Sequence, residues 1–181
     1  MCSSDLLALI IESSGWTFHT TLMPIFARNE LGADSAGLGF LLFAFGLGAF
    51  TASVGWVIIG NQRHVGKLMI GSVVVWHISI LVFSTSQSFY LSMAIVAVTG
   101  AGFASTQVFI LSALLGNALP EYRGRVMSLR SLAIYAFALG SMSSGAMAGL
   151  WSAPNAARVV GTMGIVLVLL LAVLASKFRK I

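Results

Sequence analysis

Glu12, Trp16, His19 and Met23 follow one another at intervals of four, three and four residues, which places an acid, two rings and a thioether on one stripe of a helix. The stretch around them is otherwise apolar. A carboxylate or imidazole within a membrane segment is costly unless it meets a wet cavity or a partner, so Glu12 and His19 are candidates for taking up and releasing a proton. The plainer reading leaves Glu12 near the membrane surface and lets His19 hydrogen-bond a neighbouring helix.

A second polar cluster, Thr99, Phe103, Thr106 and Gln107, recurs at helical spacing in a later apolar stretch. These groups could hydrogen-bond a solute or another helix. His77 follows Trp76 in apolar surroundings and reads as a packing residue. Zinc-helix, phosphate-loop and nucleophile-elbow motifs do not occur in the sequence, and no histidine follows His77 to serve a late catalytic helix. An enzyme is therefore not expected, and no cofactor or metal is implied. The string Ala153-Pro154-Asn155-Ala156 reverses the box of a water channel and occurs once.

These residues are carried by a chain of 181 residues that is 58% apolar and only 8% charged, against about 25% charged in a soluble domain. Its apolar blocks match the roughly 20 residues needed to cross hydrocarbon about 30 Å thick. The sequence predicts an all-α, polytopic membrane protein of one domain with six transmembrane helices, near residues 6–27, 36–59, 68–84, 89–119, 126–150 and 156–175. The fourth is long enough to overreach the bilayer. Pro24 lies near the outer end of the first, where a kink is tolerable.

Net charge is +5, and the ten bases sit at the ends of apolar blocks, which favours membrane orientation over nucleic-acid binding. Arg63, Lys67, Arg123, Arg125, Arg130, Lys177, Arg179 and Lys180 fall on one side, and only Arg28 and Arg158 on the other. Both termini are thus expected on the cytoplasmic side of an inner membrane. The single cysteine, Cys2, allows no intrachain disulfide. The first span begins almost at residue 1 without a signal-peptide pattern, and the chain reads as cut at its front.

Small residues form stripes at Ala44, Gly48 and Ala52 and at Ser141, Gly145 and Gly149, with Gly140, Ser144 and Ala148 beside the latter. Such faces let helix backbones approach closely and belong at helix contacts.

Three strings then read together: Thr20-Thr21-Leu22-Met23-Pro24-Ile25-Phe26-Ala27, Gly37-Leu38-Gly39-Phe40-Leu41 with Gly46-Leu47-Gly48-Ala49, and Pro120-Glu121-Tyr122-Arg123-Gly124-Arg125-Val126-Met127-Ser128. In that order they resemble the C-terminal half of a major facilitator superfamily transporter, in the branch of macrolide-efflux and enterobactin-export-like permeases. The resemblance runs from about residue 6 to the end. It implies that the six spans are helices seven to twelve, that an N-terminal six-helix half is the missing partner, and that the second and fifth spans pack against that half. It also implies that the first and fourth spans line a central cavity, with Trp16, Thr20, Thr99, Phe103, Thr106 and Gln107 as candidate cavity residues, and that the third and sixth face lipid. Arg123, Gly124 and Arg125 would form a cytoplasmic gating turn, for which a plain positive-inside anchor is the alternative. The family's gating motif in the earlier cytoplasmic loop survives only as Arg63-His64-Val65-Gly66-Lys67, with its acid replaced by Arg63.

The function expected on this basis is export of a small organic solute or drug through the lipid bilayer by proton antiport and alternating access. The competing class is a non-transporting membrane scaffold or assembly subunit whose polar stripes serve helix packing alone. A channel is weakened by the lack of repeated charged or carbonyl-rich segments.

Overall fold

A computed structural model describes residues 15, 17–60, 64–117 and 119–174. Glu12 and Trp16 lie outside the described residues, as do the bases Arg63, Lys177, Arg179 and Lys180. The described chain is helical. A π-helical turn, Phe18–Leu22, runs directly into α1 (Met23–Asn29). Then come α2 (Ser35–Ile59), α3 (Val65–Phe83) and α4 (Phe89–Asn117). A 3₁₀ turn, Pro120–Tyr122, leads into α5 (Arg123–Leu150), followed by α6 (Ala153–Leu174). Among the described residues, α2, α3, α4 and α6 are long and apolar enough to cross a membrane.

Local signals explain the ends. Asp34 caps α2, its Oδ1 accepting the Gly37 amide at 2.8 Å, and Gly60 ends the helix at φ 75°, a conformation in which it lacks a Cβ to clash. Three helices begin ahead of their apolar blocks, at Val65 rather than 68, Arg123 rather than 126 and Ala153 rather than 156. The added residues include Lys67, Arg123, Arg125, Pro154 and Asn155, which suit a helix emerging into headgroups and, for proline, a first turn with no amide to satisfy. Apolarity marks the hydrocarbon crossing, not the helix end. The 28 residues of α5 include Ser128, Ser131, Ser141, Ser143 and Ser144, and this helix falls below the apolarity of the other four.

Glycines set the packing. A Cβ on Gly48 would overlap the carbonyl of Ala97, and one on Gly100 would overlap the carbonyl of Phe45, so α2 and α4 meet backbone to backbone. The stripe of Ala44 and Gly48 read from sequence is this contact, and both residues are buried. On the other small-residue stripe, a Cβ on Gly145 of α5 would come to 3.5 Å from the methyl of Thr21, an ordinary van der Waals distance.

The core joins the π turn and α1 to α3 and α6 through Phe18, Leu22, Phe26, Trp76, Ile80, Phe83, Ala156 and Val160. Here the structure corrects one expectation. His77 does not face lipid: it is fully buried between α3 and α6, where Gly164 leaves room for its ring and Gly161 for Leu81. Its Nδ1–H donates to the Val73 carbonyl at 2.9 Å, and its Nε2 has no hydrogen-bond partner among the described residues. Packing, as read from the sequence, is what this histidine does.

Candidate functional site

His19 is the second residue of the π turn and is half-buried. The π turn delivers its imidazole to a nest of rings drawn from three other helices. It is stacked on Phe45 of α2, centroids 4.7 Å apart and planes at 26°, and meets Phe103 of α4 edge-on at 5.3 Å. Phe45 and Phe103 are themselves 5.5 Å apart, and Trp76 of α3 closes on Phe103 at 5.3 Å. Such offset and edge contacts suit the ring quadrupoles and hold the imidazole in one orientation.

The structure therefore brings His19 and Phe103 together, as two of the residues singled out by spacing. It treats the neighbours of Phe103 differently. Thr99 is fully buried and donates to the Ile95 carbonyl of its own helix at 2.9 Å. Thr106 is also fully buried, its hydroxyl 2.8 Å from the Gly102 carbonyl and 3.1 Å from Ser72 Oγ on α3. It faces a neighbouring helix. Gln107 and Phe103 are half-buried, and Thr20 is exposed on the π turn. Thr20, Phe103 and Gln107 are accordingly the cavity candidates with surface left to offer.

Arg123, Gly124 and Arg125 are not a turn. They are the first three residues of α5, all exposed, and the connection is made by the 3₁₀ turn before them because Pro120 cannot continue a helix. The Arg125 guanidinium lies 5.6 Å above the Tyr122 ring, within cation–π range.

Spacing alone missed Phe45, Trp76 and Ser72. Phe45 sits three residues before Gly48, on the side that the small-residue stripe turns toward α4, and that neighbourhood was the available signal. Trp56 was missed too: its Nε1–H donates to Ser105 Oγ at 2.7 Å, tying α2 to α4.

A cleft of about 750 Å³ opens between α1 and α2. Arg28, Asp34 and Ser35 line it together with Pro24, Ile25 and Leu38.

The sequence model of the Major Facilitator Superfamily matches residues 6–180. The chain belongs to the major facilitator superfamily. This makes it part of a family of membrane transporters, not of enzymes, and agrees with the apolar helices of the bundle. No curated protein and no solved structure matches the chain. In this major facilitator chain the half-buried His19 nest lies between the π turn, α2 and α4, while the cleft lined by Arg28 and Asp34 opens between α1 and α2.

Proposed function

We propose that the chain is the C-terminal six-span half of an inner-membrane exporter that moves a small organic solute or drug outward by proton antiport, with both its termini cytoplasmic. The observation that carries this reading is the His19 nest, in which a titratable ring is held among aromatic groups inside an apolar bundle. An imidazole can exchange a proton near neutral pH, and His19, half-buried where His77 is fully buried, keeps surface through which to do so. Glu12, on the same helical stripe by spacing, would share the proton, and Trp16 would stand between them. Thr20, Phe103 and Gln107 would contact the solute, with Thr99 and Thr106 supporting α4 from behind.

Alternating access needs a second bundle to rock against. A partner of that kind is supported by α2, whose Phe40, Phe43, Leu47, Phe50, Val54 and Val57 are exposed at alternating intervals of three and four residues. That spacing suits knobs-into-holes packing against another helix, as an N-terminal half would supply. Arg123, Gly124 and Arg125 would then lie at the cytoplasmic gate. Within the family, we place the chain nearest the macrolide-efflux and enterobactin-export-like permeases.

The experiment is proton-driven efflux by the full-length protein carrying Glu12→Gln or His19→Ala. Loss of coupling is expected, and unchanged efflux in both variants would remove the proposed proton route.

A further inference from the structure

The π turn over Phe18–Leu22 is closed by the Met23 amide, which donates to the Phe18 carbonyl five residues back, and Pro24 follows at once. In an α-helix residue 24 would donate to the Thr20 carbonyl. Proline has no N–H, and its ring presses on that carbonyl. Widening the preceding turn relieves the conflict, and π turns of this kind cluster at functional sites.

The wider turn also solves a packing problem. Phe18 and Phe26 both lie against Phe83 of α3, at centroid distances of 5.1 Å and 4.5 Å. Eight residues of α-helix would set them about 80° apart around the axis, whereas absorbing one extra residue in the π turn brings them within about 20°. Both are buried. The extra residue must come out on the other side of the helix. Thr20 is exposed, while His19 keeps its stack on Phe45 and Thr21, half-buried, faces Gly145 of α5.

We propose that Pro24 is a positioning residue: it enforces the π turn, which leaves Thr20 exposed and sets His19 into its aromatic nest. The use of Thr20 and His19 in transport rests on the function proposed above; their placement by Pro24 does not.

The test uses the full-length protein in lipid nanodiscs, with Cys2→Ser and Thr20→Cys, and follows the rate at which a maleimide labels position 20. Three forms are compared: the parent, Pro24→Ala, and Pro24→Ala with Thr21 deleted. With an amide restored at position 24 the turn closes to α, and labelling is expected to slow at least fivefold. In the deletion form a continuous α-helix again aligns Phe18 and Phe26 on Phe83, and residue 20 moves toward the face that Thr21 presents to Gly145 in the parent. It is expected to stay monodisperse and to label slowly, so it decides the matter if Pro24→Ala alone fails to fold. Labelling within twofold of the parent in the folded forms overturns the proposal.

A second readout is the pH profile of solute efflux, with Thr20 and Cys2 intact. A displaced profile in the Pro24→Ala form is expected from a shifted His19. Slow labelling with an undisplaced profile upholds the placement by Pro24 and counts instead against a transport role for His19.

Discussion

The His19 imidazole and the Phe45 ring lie stacked, 4.7 Å between centroids, so one residue of the π turn is held by one residue of α2 across the bundle. The contact separates two properties of His19, its shape and its proton. His19→Phe keeps a planar ring against Phe45 and Phe103 but cannot ionise. Its thermal unfolding in detergent is expected within a few degrees of the parent, while proton-driven efflux is lost. His19→Ala forfeits both ring contacts as well, worth about 1–3 kcal/mol together, and should lower the unfolding temperature too. Equal efflux by parent and His19→Phe would show that the proton is not exchanged there.

The close approach of α2 and α4 makes Gly48 and Gly100 sensitive to a single methyl group. Each added Cβ would meet a backbone carbonyl that cannot swing aside. Gly48→Ala and Gly100→Ala are expected to destabilise by at least about 1–3 kcal/mol, the usual range for overpacking. Gly46→Ala on the same α2 has nothing within 4 Å and should be neutral or slightly stabilising. Unfolding temperatures of the three purified variants check the contrast.

His77 and Gly164 form a matched pair between α3 and α6. A Cβ at position 164 would overlap the imidazole, so Gly164→Ala should be destabilising in the parent and much less so in His77→Ala. A double-mutant cycle on unfolding free energy is expected to give a coupling of about 1 kcal/mol or more. Additive effects would mean that the two residues do not touch.

Ser152, in the short link between α5 and α6, has φ 140°. A residue with a Cβ is strained there, at a cost of about 1–3 kcal/mol. Ser152→Gly relieves the strain but adds freedom to the unfolded chain. A net gain of about 1 kcal/mol is expected, seen as a raised unfolding temperature.

Much of the bundle was legible because crossing a membrane is a local property of about 20 residues. The apolar blocks of α2, α3, α4 and α6 stand out without any knowledge of neighbours. The stripe of Ala44 and Gly48 also announced a close contact, since small residues at that spacing serve backbone approach. The candidate site was legible only in part. Spacing put Thr99, Phe103 and Thr106 on one side of α4, but that side meets α3 as well as the first helix, and only position in the bundle assigns Thr106 to Ser72 and Phe103 to His19.

The sequence by itself determined that the chain is a helical membrane protein of the major facilitator family, that its apolar blocks alternate with short connections, and that His19 and Pro24 sit five residues apart ahead of α2. Tertiary structure decided what those residues face. Phe83 holds Phe18 and Phe26 at once, which the π turn permits, and the turn leaves His19 on Phe45 and Thr20 exposed. His77 is buried because Gly161 and Gly164, more than 80 residues away, leave a hollow in α6. Helical periodicity is set by each helix's own backbone, whereas the identity of the neighbour on each face depends on how distant segments pack.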